Sequence, residues 1–254
     1  MKRPSIGIFK FASCDGCQLS IVDLEDELLK LVELFKVDYF REASDRPFTG
    51  HFDLVLSEGS ISTPEQKERI IETRERTRYL ITIGACATSG GLQALRNWAV
   101  LDDFRNYVYP EPELIESLAS STPASDHVYV DYEVWGCPVN SKSLSEVLAS
   151  FLIGKRPGLP QYSLCMDCKR EGIPCILVSK NAPCLGPVTR TGCGVLCPSM
   201  GRACYGCFGP REGANIDSLL HHFQEKGLSH KEYMHLLDKM NTYAFRRSEI
   251  EKKD

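Results

Sequence analysis

Along the first 155 residues, short apolar runs alternate with amphipathic stretches. "SIGIFKFA" (5–12), "VDYF" (37–40), "FDLVLSEG" (52–59), residues 79–83 and residues 127–134 are four to eight residues long and end in turn formers, the signature of buried strands. Between the first two, Ile21, Leu24, Leu28, Leu31 and Phe35 recur at helical spacing, which predicts a helix through "IVDLEDELLKLVELF". Thr63-Pro64-Glu65-Gln66 offers an N-cap, a proline at the first helical position and a capping-box partner, so a second helix is expected from 64 to about 77. Ser143 and Glu146 form a further capping box for "LSEVLASFLIG".

Strands alternating with helices predict an α/β fold with a parallel sheet and helices on both faces, similar to the flavodoxin-like topology. The pattern stops at "GKRPGLP" (154–160), which reads as a linker. Residues 161 to about 213 are rich in Cys, Gly and Pro and lack periodicity, so something other than an ordinary apolar core must hold them. Ser229-His230-Lys231-Glu232 then caps a final helix, expected over 230–247. The organisation expected is a flavodoxin-like domain over 1–155 and a small irregular domain over 161–254 that ends in a helix.

At 254 residues with 43% hydrophobic content, the chain is long and apolar enough for a real core. No apolar run of about 18 residues is present, so no transmembrane helix is expected, and "MKRPSIGIFKF" lacks a signal-peptide core, which predicts a cytoplasmic protein with no membrane partner. The net charge of −4 divides unevenly, −7 before residue 161 and +3 after it, and neither half carries a nucleic-acid footprint. Composition is decisive only for cysteine: twelve in one chain. Disulfides are rare in most cytosols, so this number points to metal.

Four cysteines are sparse. Cys14 and Cys17 form Cys-x-x-Cys after the first strand, Cys86 lies in "GACATSGG" after another, and Cys137 lies in "GCP" after a third. Loops at strand C-termini of an open α/β sheet converge on one crevice, so these thiols can meet there. A buried structural Cys, a redox pair, zinc and a [4Fe–4S] cluster are all compatible with that placement. Gly16, Gly84 and Gly136 beside the cysteines favour a cluster, because they let backbone N–H groups approach sulfur. The other eight are dense: Cys165-x2-Cys168-x6-Cys175-x8-Cys184, then Cys193-x3-Cys197-x6-Cys204-x2-Cys207. They make two four-thiolate sites, either zinc ribbons or clusters, and the simplest partition separates the first four from the last four. Twelve cysteines divided into three fours, with no histidine at ligand spacing, suit electron transfer better than structural zinc.

"CDGC", "SEGSIS", "GACATSGG" and "GCPVNSKSL", followed by "CLGPVTRTGC" and "CYGCFGP", resemble in order the cluster-binding segments of nickel–iron hydrogenase small subunits. The resemblance covers most of residues 5–212. It implies a proximal [4Fe–4S] cluster on Cys14, Cys17, Cys86 and Cys137, a distal one on Cys165, Cys168, Cys175 and Cys184, and a medial one on Cys193, Cys204 and Cys207. Cys165 stands where the membrane-linked branch has histidine, and Cys197 supplies a fourth medial cysteine, which implies a third [4Fe–4S] cluster. With no export signal, the chain looks most like the delta subunit of the cytoplasmic, NAD(P)-linked sulfhydrogenases. That implies a nickel–iron large subunit, a flavoprotein that reacts with NAD(P)(H) and a further iron–sulfur subunit as partners in a heterotetramer. It also implies that this chain has no catalytic residue of its own, and it leaves room for sulfur or polysulfide reduction as a side activity. The rival reading is an iron–sulfur subunit of a related quinone-reductase-type complex, although no Cys-Cys pair occurs here. Glu58 in "SEGSIS" reads as a hydrogen-bonding loop carboxylate or helix cap, or as a contact with the large subunit.

Overall fold

In the computed structural model, residues 3–23, 29, 32–43 and 50–247 are described. They fall into two compact units, Met1–Ser141 and Lys142–Asp254.

Among the described residues, unit one is built on five strands: β1 (Ser5–Lys10), β2 (Lys36–Phe40), β3 (Phe52–Glu58), β4 (Thr77–Ile83) and β5 (Tyr132–Val134). Their order is β2-β1-β3-β4-β5 and every pairing is parallel. This is the doubly wound order in which the chain reverses direction between β1 and β3, and ligands bind at the C-terminal edge of that switch point. The apolar runs form strands because both of their faces are covered: Ile6, Val55, Leu80, Ile81 and Ile83 are fully buried. Phe9 stacks on Tyr39 at 4.5 Å and meets Phe52 edge-on at 5.6 Å. The Arg69 guanidinium lies 5.7 Å from the Phe9 ring centre and donates to the Tyr39 hydroxyl at 2.7 Å, so the aromatic cluster and the polar tip are held together.

The helices are α1 (Gly16–Val22), α2 (Pro64–Glu75), α3 (Gly84–Ser89) and α4 (Leu101–Val108), with a 3-10 turn over Leu92–Trp98 between the last two. Of the helix expected across 21–35, Ile21 and Val22 belong to α1, residues 29 and 32–34 are helical, and Leu24, Leu28 and Leu31 lie outside the described residues. At α2, Thr63 accepts from Gln66 N as expected, but Gln66 Oε1 accepts from Ser62 N rather than from Thr63 N, so the box closes one residue upstream. The strand expected over 127–134 is reduced to three residues. Asp131 is the cause: its carboxylate accepts from Leu80 N at 2.8 Å and pairs with Arg74 at 2.6 Å, replacing a strand's backbone partner.

Unit two contains α5 (Ser141–Leu152), α6 (Leu164–Arg170), α7 (Ile176–Ser179), α8 (Leu196–Ser199), α9 (Ile216–Glu225), α10 (His230–Leu237) and α11 (Thr242–Phe245). Helix α5 starts at Ser141, right after the Gly136–Val139 bridge closes its loop, so Ser143 lies inside the first turn instead of capping it. The expected 230–247 helix has the Ser229–Glu232 capping box but is broken after Leu237. The break lets the buried Asn241 side chain donate to Gly206 O at 2.9 Å, tying the C-terminal segment to the cysteine-rich one. Leu185, Val188, Leu219, Phe223, Tyr233, Leu237 and Phe245 form one small core. Leu164, Ile176 and Val195 form another around Cys184 and Cys204.

Candidate cysteine-lined metal centres

Three strand ends deliver the first four cysteines. Cys14 lies in the β1–α1 loop, Cys17 in the first turn of α1, Cys86 in α3 directly after β4, and Cys137 three residues past the end of β5. The loop after β1 turns sharply because Asp15 adopts a left-handed φ of 67°, and its carboxylate is held by Lys10 Nζ at 2.5 Å. The Cys17 sulfur accepts from Val139 N at 3.4 Å, which ties the first and last loops together. The Cys86 thiol donates to Gln93 Oε1 at 3.6 Å, while Gln93 Nε2 donates to Ala12 O at 2.7 Å.

These thiols are electrostatic neighbours. Burial pushes Cys17 far above the ordinary thiol range, and Glu58, Cys86 and Cys137 add to the shift. Burial raises Cys86 to about 11, with Cys137 and Cys14 contributing, and it raises Cys137, with Cys14 contributing. The structure therefore brings all four together. Burial thus favours the protonated thiols of Cys17, Cys86 and Cys137, and ligation would release their protons.

Glu58 is 2% exposed and its carboxylate accepts from Cys17 N at 3.1 Å and Gln18 N at 3.3 Å. It caps α1 from the end of β3, which is the helix-cap reading. Burial raises its pKa, and the N–H groups of Cys17 and Gln18 oppose that rise.

Whether these residues fit a cluster is tested by the space behind the sulfurs. Gly84 has φ +80°, and a Cβ there would lie 2.2 Å from the Cys17 sulfur. A Cβ at Gly91 would lie 2.6 Å from the Cys86 sulfur, and one at Gly16 would lie 3.4 Å from the Cys14 sulfur. The loops thus give up side-chain volume where sulfur needs it. Among the described residues, no three Cys, His, Asp or Glu side chains converge on the point that a single metal ion would occupy. The donor set, four cysteines of which three have glycine beside the sulfur, has the chemistry of a four-thiolate iron–sulfur site.

In unit two, Cys165 and Cys168 lie one turn apart on α6, Cys175 directly precedes α7, and Cys184 is buried in the following loop. Burial raises Cys165 to about 11, with Cys184, Cys168 and Cys175 contributing, so these four stand together. A Cβ at Gly186 would lie 3.3 Å from the Cys165 sulfur and 3.5 Å from that of Cys184. In the last four, Cys193 neighbours Cys197 and Cys204 neighbours Cys207. Each pair also borders the first set. Cys204 N donates to the Cys184 sulfur at 3.2 Å, and Cys193 contributes to the rise at Cys168. The backbone reaches Cys193 at a cost: Val195 takes φ 52°, a left-handed conformation rare for a β-branched residue, and burial raises the Cys193 pKa while the nearby Leu196 and Val195 N–H groups oppose that rise.

Sequence reasoning missed Gln93, which accepts a hydrogen bond from the Cys86 thiol, and Thr189, which lowers the Cys204 pKa against burial while its hydroxyl donates to Leu185 O. Both lie close to the quoted cysteine motifs, Gln93 two residues past "GACATSGG" and Thr189 inside "CLGPVTRTGC", but neither side-chain type announces a sulfur contact.

Comparison with known proteins places this arrangement in context. Residues 14–151 match the family described as "NADH ubiquinone oxidoreductase, 20 Kd subunit". The chain is 34% identical to the sulfhydrogenase 2 subunit delta of Pyrococcus furiosus, over 87% of this chain and 92% of that one. It is 30% identical to a subunit of the vhu F420-non-reducing hydrogenase of Methanocaldococcus jannaschii, over 92% of this chain and 93% of that one. A solved NAD+-reducing [NiFe]-hydrogenase in the H2-reduced state superimposes with a TM-score of 0.59 at 30% identity, covering 63% of this chain and 96% of its own.

Proposed function

Because this chain belongs to the nickel–iron hydrogenase small-subunit family, and with it to the 20 kDa quinone-oxidoreductase subunit family, we propose that it conducts electrons through three [4Fe–4S] clusters. It does so between a hydrogen-splitting large subunit and a flavoprotein that reacts with NAD(P)(H). Such a subunit is part of an oxidoreductase acting on hydrogen and is not catalytic alone.

In this reading Cys14, Cys17, Cys86 and Cys137 hold the proximal cluster. Cys165, Cys168, Cys175 and Cys184 hold the distal one, and Cys193, Cys197, Cys204 and Cys207 the medial one. When bound, each cluster takes up and returns one electron. The chain's own residues fix the thiolates, exclude water from Cys17, Cys184 and Cys204, and direct N–H groups at sulfur: Val139 at Cys17, Cys204 at Cys184 and Gly206 at Cys204. Such hydrogen bonds set the potential of an iron–sulfur site. A cytoplasmic heterotetramer with a further iron–sulfur subunit completes the proposal; among the described residues no helix is long and apolar enough to cross a membrane. Reduction of sulfur or polysulfide belongs to the same proposal, on the name of the Pyrococcus relative.

The observation that carries the reading is the meeting of four cysteines from three strand ends at the sheet's switch point, with glycine behind the sulfurs of Cys17 and Cys86. Cys17→Ala in the assembled complex is expected to abolish hydrogen-dependent NAD(P) reduction while the clusters of unit two persist by electron paramagnetic resonance. Unaltered activity refutes the proximal assignment.

One observation favours a second reading of the acceptor. The two relatives not NAD-linked by name match 87% and 92% of this chain, whereas the NAD+-reducing structure matches 63%. An acceptor other than NAD(P) then receives the electrons, and hydrogen-dependent reduction of NAD+ or NADP+ by the purified complex decides between the two.

A further inference from the structure

Helix α4 has no buried residue. Val100, Phe104, Tyr107 and Val108 follow helical spacing and form one apolar stripe, yet Phe104 is 53% exposed and Tyr107 92% exposed. Leu92 before the helix and Leu114 after it are exposed as well. A solitary eight-residue helix is marginal in water. This one is closed by its own arginine: Arg105 Nη2 donates to Pro112 O at 2.9 Å and also to Ile115 O. The arm thus folds on itself, and its apolar stripe stays open to solvent.

The root of the arm, by contrast, is fixed. Arg96 donates to Ser62 O and Leu118 O, and Asn97 and Ser121 exchange two hydrogen bonds of 2.8 Å. Two residues into the same 3-10 turn, Gln93 bonds Cys86. The arm therefore extends from the wall of the first cysteine site, on which Cys14 is exposed. Its charges are mainly acidic: Asp102, Asp103, Glu111 and Glu113 against Arg96, which is engaged at the root, and Arg105, which is engaged in the staple and pairs with Asp102.

We propose that residues 92–114 are the docking arm for the nickel–iron large subunit, which receives the Phe104–Tyr107 stripe in an apolar groove with a basic rim. The proposal rests on the reading above. The occupant follows from continuity: a protein seated on this arm also covers the Cys14–Cys86 crevice, where electrons must enter. Exposed aromatic side chains grouped in this way have the character of interface hot spots.

The test is co-purification of the co-expressed large subunit with the full small subunit, wild type against Phe104→Glu, Tyr107→Glu and the double variant. Ile153→Glu, at an exposed apolar position of unit two, is the control. The double variant is expected to recover at least about tenfold less large subunit, with unchanged iron content, and the control to recover as much as wild type. If Phe104→Glu lowers the iron content, the Tyr107 variants decide, since that side chain is almost fully exposed. Equal recovery by all variants overturns the docking arm and leaves the function intact. So does loss of the flavoprotein alone, or loss only of self-association. Failure of the wild type to retain any large subunit overturns the functional reading and the arm with it.

Discussion

Gly84→Ala probes the first cysteine site with a single methyl group. Gly84 opens α3 at φ +80°, where alanine costs about 1–2 kcal/mol. The new Cβ would lie 2.2 Å from the Cys17 sulfur, which must retreat by roughly 1.2 Å to reach the 3.4 Å of ordinary contact. Cys17 is buried, so that movement is an overpacking strain of about 1–3 kcal/mol. The total, about 2–5 kcal/mol, falls on the site rather than on the sheet core. Gly154→Ala is the matched control, because Gly154 also has positive φ (+68°) but nothing lies within 4 Å of its would-be Cβ. It should show the backbone cost alone. The assay is iron and acid-labile sulfide per chain, with urea unfolding of the same samples. Gly84→Ala should lose about one third of the iron, the share of one four-iron site in three, and Gly154→Ala none. If Gly84→Ala keeps its full iron and matches Gly154→Ala in stability, the packing argument for the proximal site is wrong.

Three further outcomes follow from other contacts. Glu58→Ala leaves the N–H groups of Cys17 and Gln18 without their acceptor and should cost about 1–3 kcal/mol in urea unfolding, with Glu58→Gln closer to wild type. Burial lowers the His127 pKa, so the unfolded chain takes up that proton first as pH falls. Stability from this residue is present above the unfolded value near 6.5 and is lost below it; the urea midpoint should fall more between pH 7 and 5.5 in wild type than in His127→Asn. Asn241→Ala removes the donor to Gly206 O and should destabilise unit two by about 1–3 kcal/mol, read as earlier loss of its iron on heating.

The strands that read clearly in the sequence are those buried on both faces. β1, β3 and β4 are continuous apolar runs, and their parallel order with cysteines at the C-terminal ends follows from the α/β alternation. Periodicity overextends β5, because it does not reveal that the Asp131 carboxylate takes the Leu80 N–H. The 230–247 segment reads as one continuous helix because no Gly or Pro marks the break, which is set by the distant Gly206 carbonyl. The stripe of α4 is present in "AVLDDFRNYVY", but a helix that faces no core leaves no trace in strand-and-helix alternation. Among the cysteines, motif order groups the first four, which the structure places after β1, β4 and β5. The contacts between Cys184 and Cys204 and between Cys168 and Cys193 depend on how loops fold back, which spacing does not encode.

The hydrogen bond from Val139 to the Cys17 sulfur joins positions 122 residues apart in the sequence. It sets an order of maturation. The first cysteine group lacks its last thiol until β5 has paired with β4, because Cys137 lies three residues past the end of β5. The other eight cysteines lie within residues 165–207, and closing that shorter span costs about 1 kcal/mol less loop entropy. If these four cysteines hold the proposed cluster, its binding site is complete during synthesis only after β5 has emerged and paired with β4. On the proposed assignment, occupancy of that site would report a finished sheet, which the two sites proposed in unit two would not.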